Sequence, residues 1–221
     1  MADQCFVIMP FTAELHYFYL YLRHHLEKKH RLICERADSD VLTVPLLGKI
    51  KDFITRADII IADCSGRNPN VFYELGIAHT LNKDVILITH DEIETIPSDI
   101  RHFEFIRYAL NDEVTFLNKL DNAIENITIK RYLPFYEQAK AMLSDFNKQN
   151  KTRLRAVSKQ EFVRSLRGAD QQDFLATVTN DRKSIAEILL PIIVENTMYA
   201  QVMHTIVDWV DTLDDENNPN S

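Results

Sequence analysis

Residues 57–79 read ADIIIADCSGRNPNVFYELGIAH, and this stretch decides the fold. Asp58 to Ala62 carries three consecutive isoleucines. A continuous apolar run of this kind belongs to a strand covered on both faces, whereas a half-exposed strand would alternate. Asn68 is a good helix N-cap, and Pro69 suits the first helical position because its fixed φ is already helical. The helical pattern then runs from Pro69 to Leu81. A buried strand, a short turn and a helix form half of a βαβ unit.

The same alternation extends in both directions. Upstream, Cys5 to Met9 is a compact apolar run ended by Pro10. Ala13 to Lys29 is helical, with Leu15, Phe18, Leu22 and Leu26 on one face. Leu32 to Cys34 begins a second strand, and Val41 to Arg56 reads as a helix interrupted by Pro45 and Gly48. Downstream, Asp84 to Thr89 and Phe103 to Tyr108 are strands, and Val114 to Ile127 is a closing helix. Strict alternation with right-handed crossovers predicts an α/β fold: a five-stranded, parallel, doubly wound sheet of flavodoxin-like order 2-1-3-4-5.

Beyond residue 130 no strand is expected, and the pattern is that of a C-terminal α-helical domain. Leu133 to Asn150 is helical, Ser158 and Glu161 form a capping box, and Asn180 caps a helix broken or kinked at Pro191. Ile192 to Leu213 gives a last helix. The expected organisation is therefore 1–130, 131–213, and a polar, disordered tail 214–221. The stretch from Ile185 to Leu213 spreads apolar residues around more of the helix than one buried stripe needs. It predicts a self-association surface and a homo-oligomer.

Composition narrows the function. The 221 residues are 46% hydrophobic and carry a formal net charge of −8, which argues against extended nucleic-acid or anionic-membrane binding. Neither a signal segment nor a bilayer-length apolar run is visible, so a cytoplasmic location is expected. Cys5, Cys34 and Cys64 are odd in number and widely spaced, which suggests buried, inert thiols. No metal-ligand spacing, P-loop or G-x-G-x-x-G occurs, so neither a metal nor a cofactor is expected. His24, His25 and His30 read as residues of a surface helix without ligand spacing.

In open parallel sheets, ligands bind past the carboxyl ends of the strands, where the strand order reverses. The candidates are therefore Met9, Pro10 and Phe11 after the first strand, Arg36 and Asp38 after the second, and His90 and Asp91 after the fourth. The third strand contributes Asp63, Ser65, Gly66, Arg67, Asn68, Asn70 and Tyr73. Aromatic faces, carboxylates and cations in one place suit a base, a sugar and a phosphate. The helix beginning at Pro69 turns free N–H groups toward an anion, and Gly76 is expected to let it pack closely on the sheet. Glu74 lies about a turn and a half in and leans back toward the N-terminus. From position alone, Glu74 is as readily a solvated helix residue, and Asp63 a turn-former.

VIMPF at residues 7–11, the 57–79 segment, KDVILIT at 83–89 and IPSDIRHFEFIRY at 96–108 together resemble the nucleoside 2-deoxyribosyltransferase-like proteins. That family sits in a wider group of nucleotide-handling folds that includes TIR-like NAD hydrolases. The resemblance covers roughly residues 4–129 and implies a nucleotide-binding domain. Its nucleophile is a glutamate in an E-L-G context, which falls on Glu74. Family carboxylates near base and sugar would be Asp38 and Asp63. Bulky Val71-Phe72-Tyr73 replaces the family's small, glycine-containing segment, which points away from base exchange.

The resulting expectation is an N-glycosidase or N-glycosyl transferase acting on a nucleoside, a nucleotide or an NAD-like dinucleotide, with Glu74 as nucleophile and Asp63 as a second catalytic carboxylate. Arg67 would hold phosphate, and Phe11 and Tyr73 would flank the base. A carboxylate beneath C1′ stabilises the oxocarbenium charge that develops as the C1′–N bond breaks. The alternative is a non-catalytic nucleotide-binding sensor or an interaction module, a role that would suit a bacterial defence system.

Overall fold

A computed structural model describes residues 3–37, 46–109, 111–166 and 182–213. The chain divides into two compact units, residues 2–127 and 128–221. The first holds a parallel sheet of order β2-β1-β3-β4-β5, built from β1 (Gln4–Ile8), β2 (Ile33–Glu35), β3 (Ile59–Asp63), β4 (Val85–Thr89) and β5 (Phe105–Arg107). The 2-1-3-4-5 order read from the sequence is the order observed. Helices α1 (Ala13–His30), α2 (Leu46–Arg56) and α3 (Pro69–Thr80) connect the strands, and α4 (Glu113–Asn150) follows β5.

The central strand explains why the pattern was legible. All five residues of β3 are buried, because its neighbours β1 and β4 pair along both edges and side chains cover both faces. Ile59 and Ile61 join Leu22 and Leu26 of α1 and Leu120 and Ile124 of α4 in one core. Ile60 and Ala62 face the other way, onto Phe53 and Ile54 of α2 and Val71 and Leu75 of α3. All three cysteines are free and buried. Burial pushes the Cys64 thiol up to about 12, which keeps it protonated and inert.

The second unit is helical: α5 (Lys159–Leu166), α6 (Arg182–Ile193) and α7 (Asn196–Thr212), with Phe146, Phe162, Leu189, Leu190, Ile193 and Trp209 at its centre. Ser158 and Glu161 make the expected capping box: Glu161 N–H donates to Ser158 Oγ, and Ser158 N–H to Glu161 Oε2. Two boundaries differ from expectation. The helices expected over 114–127 and 133–150 are one, because residues 128–132 contain no stop signal and Pro134 removes only a single N–H donor. Pro191 likewise lies inside α6 and does not break it; the helix ends two residues later. The helix expected from Val41 is described from Leu46; Pro45, Asn180 and the tail lie outside the described residues.

Most of the apolar stretch in 185–213 is satisfied within its own unit. Ile185, Leu189, Leu190, Ile193, Ile206, Trp209 and Val210 are buried. Val207 remains 47% exposed, and Ile188 and Ile192 are half-buried. No helix among the described residues is long and apolar enough to cross a membrane.

Candidate functional site

The carboxyl ends of β3, β4 and β5 converge on one buried carboxylate. Asp63, the last residue of β3, is 0% exposed. Its Oδ1 accepts Ser65 N–H at 3.0 Å and Ser65 Oγ–H at 2.5 Å, and its Oδ2 accepts the Tyr108 hydroxyl at 2.8 Å. Burial raises the Asp63 carboxyl above the ordinary carboxylate value, and the Ser65 and Tyr108 hydrogen bonds oppose that rise. Burial, with Asp63 alongside, also raises the Tyr108 phenol, so Tyr108 keeps its proton at neutral pH.

Counting protons fixes the rest of the network. The Tyr108 hydroxyl gives its one hydrogen to Asp63, so at its 3.1 Å contact with His90 Nδ1 it must accept. With Asp63 ionised, His90 carries a hydrogen on Nδ1. The other ring nitrogen, Nε2, lies 3.3 Å from Asp91 Oδ1, and the His90 backbone N–H donates to Ser65 Oγ at 3.0 Å. Asp91 Oδ2 in turn accepts Gly66 N–H at 2.8 Å. The Ser65–Arg67 3-10 turn is thus tied to the end of β4. Gly66 and Arg67 both adopt left-handed backbone, with φ of 66° and 51°. A side chain at Gly66 would be strained by that φ, although the space beside it is open.

Beyond this turn, Asn68 caps α3, accepting Asn70 N–H at 2.9 Å, so its side-chain oxygen is already engaged. Glu74 lies one and a half turns into α3 and is half-buried. Burial alone pushes its carboxyl up to about 7. No hydrogen bond or ion pair engages the Glu74 carboxyl or the Tyr73 hydroxyl among the described residues, and Tyr73 is 59% exposed. A carboxyl that is desolvated, unpaired and poised near neutrality has the properties of a nucleophile or general base.

The remaining candidates differ in exposure and contacts. Phe11 is exposed and lies under the Arg36 guanidinium, 5.3 Å from its ring centre; Arg36 also stacks over Tyr19 at 4.3 Å. Arg67 and Asn70 are exposed, and Pro10 is half-buried. Met9 does not line a surface: it is buried in the core with Val7 and Ile61. Asp38 lies outside the described residues. Gly76 does not approach the sheet; it is exposed, and an added Cβ would meet nothing within 4 Å.

Two features escaped the sequence reading. Tyr108 joins Asp63, Ser65 and His90, although the rule that selected the other strand-end residues applies equally to the residue after β5. Tyr108 and His90 also line a cavity of about 580 Å³ with Phe18, Tyr21, Glu113 and Phe116. This volume is in the range of small-ligand sites, and Glu74 is not among its walls. The second feature is the histidines of α1. His30 is buried, and His25 and His30 converge on Asp121, so the expectation of surface histidines without ligand geometry is corrected for these two.

No family model matches the chain, and no curated protein does. Among solved structures, one neighbour is a 2-deoxyribosyltransferase from Leishmania mexicana, at 22% sequence identity and a TM-score of 0.36. The match covers 40% of this chain and 65% of that one, so it spans less than two thirds of the neighbour's length.

Proposed function

We propose that the α/β unit cleaves the N-glycosidic bond of a nucleoside, a nucleotide or an NAD-like dinucleotide, with Glu74 as the nucleophile. The observation that carries this reading is the Glu74 carboxyl itself: half-buried, without a hydrogen-bonding partner among the described residues, and raised to about 7 on a helix that starts at the carboxyl edge of the sheet. Keeping an unpaired carboxyl away from water costs stability, and such a cost is commonly met at sites that use the group.

In this mechanism a Glu74 carboxylate oxygen attacks C1′ as the C1′–N bond breaks. The bonding pair leaves with the base nitrogen, which departs as an anion or takes a proton from an acid of the site. Water then attacks C1′ of the glycosyl ester, releasing the sugar and returning the carboxylate. Asp63 acts through its neighbours: both its oxygens are engaged, so it positions Ser65 and Tyr108. Arg67 takes phosphate, while Phe11 and Tyr73 flank the base. Self-association completes the proposal, through the part of 185–213 centred on exposed Val207.

The test is incubation with a panel of nucleosides, nucleotides and NAD, followed by chromatography for free base. The account expects release from at least one compound, lost in Glu74→Gln while binding of that compound persists. Binding without release from any of them would make the unit a sensor.

A further inference from the structure

Helices α1 and α4 pack side by side through the core that contains Leu22, Leu26, Leu120 and Ile124. Near the end of α1, this packing brings two imidazoles to one carboxylate. His25 Nε2 lies 2.7 Å, and His30 Nε2 2.6 Å, from the same oxygen, Asp121 Oδ1. Lys29 Nζ takes the other oxygen, Oδ2, at 2.6 Å. The ligand-capable atoms of the three residues all lie within 4.8 Å of one another. Three donors from α1 thus converge on the one carboxylate of α4.

We propose that His25 Nε2, His30 Nε2 and an Asp121 carboxylate oxygen form a three-ligand site for a borderline transition-metal dication of the zinc class, with water completing the coordination. The donor set decides the class. Two imidazoles and one carboxylate suit zinc, cobalt or nickel, whereas calcium and magnesium prefer oxygen ligands throughout. The imidazoles bind as neutral rings, moving their remaining hydrogen to Nδ1. Zinc–nitrogen bonds of about 2.0–2.1 Å set tetrahedral ligands about 3.3 Å apart, so each Nε2···Oδ1 separation opens by roughly 0.6 Å. Lys29 remains on Oδ2, orienting the carboxylate as an outer-shell partner and weakening the cation's binding by its own charge.

An entry path is present. A cavity of about 500 Å³, with Tyr21, His24, His25 and Lys28 in its walls, opens beside the cluster. His25 is the most accessible of the three ligands, with 17% of its side chain exposed against 4% for His30. The bound ion would fasten the C-terminal turn of α1 to α4. The proposal does not depend on the glycosidase reading.

The experiment uses the full chain, stripped of metal with a chelator and titrated with zinc alone by calorimetry, with cobalt as an optical reporter. One equivalent should bind with a Kd on the order of 1–10 μM, and cobalt should give the intense visible bands of four-coordinate geometry. His25→Gln should weaken zinc binding by about tenfold or more, while His102→Asn leaves it unchanged. A measurement on the unmodified chain removes any dependence on variant folding: zinc should shift the ring-nitrogen resonances of two of the eight histidines, and assignment should give His25 and His30. Absence of binding below about 100 μM, wild-type binding by a folded His25→Gln, or a different pair of shifted histidines would each overturn the site.

Discussion

Replacing Glu74 with glutamine should stabilise the α/β unit at pH 8 and leave it almost unchanged at pH 4. The folded chain holds a proton on Glu74 up to about pH 7, whereas an unfolded glutamate releases it near 4.5. Between those values the folded state binds more protons than the unfolded one, so stability falls as pH rises through that window. At 1.36 kcal/mol per pH unit, the whole of this shift would cost about 3 kcal/mol above pH 7. Glu74 keeps partial contact with water, and screening reduces the expected cost to about 1–2 kcal/mol. Glutamine has the same shape without the ionisation, so it avoids that cost. The single tryptophan, Trp209, reports on the helical unit only; the suitable assay is amide hydrogen exchange along Ile59–Asp63. Exchange through global opening should be slower in the variant by a factor of about 5–30 at pH 8, and equal in both proteins at pH 4. A Glu74→Gln protein that is less protected at pH 8, or changed equally at both pH values, would show that the carboxylate makes a stabilising contact and is not held away from solvent.

Three further outcomes follow from the geometry. Tyr108→Phe leaves Asp63 Oδ2 buried without its donor, and should cost about 1–3 kcal/mol of stability in the α/β unit while weakening ligand binding; hydrogen exchange along β3 and ligand titration measure the two effects. Leu189→Ala opens a cavity at the centre of the helical unit and should cost about 2–5 kcal/mol, read as a lower denaturation midpoint by Trp209 fluorescence. Self-association through the exposed part of 185–213 should give a dimer or larger species in light scattering at tens of micromolar, and Val207→Glu should return it to a monomer; a monomeric parent protein defeats that expectation.

The sheet was legible because burial on both faces leaves a one-dimensional trace. Ile59-Ile60-Ile61 has no alternation, so the strand had to be central, and the alternation of strand and helix up to β4 implied the parallel order, although only a 3-10 turn at Ile93–Thr95 lies between β4 and β5. The helical unit was less legible. No glycine or proline separates Ile127 from Leu133, and apolar periodicity alone does not say that one helix continues through Pro134. At the site, position rules identified Asp63, Ser65 and His90, which the fold brings together, but they also picked Met9, whose side chain belongs to the core. The His25–His30–Asp121 cluster left no local signature. Two of its members are five residues apart, off the i,i+4 face, and the third comes from a helix more than ninety residues later.

The central claim concerns one distance, that from Glu74 to the anomeric carbon of a bound ligand. A crystal structure of Glu74→Gln with a nucleoside or nucleotide that the parent protein turns over would measure it directly. The account predicts C1′ within about 3–3.5 Å of the residue 74 side-chain oxygen, on the face opposite the departing base. A ligand seated instead in the cavity walled by Phe18, Tyr108 and Phe116, with C1′ far from residue 74, would contradict it.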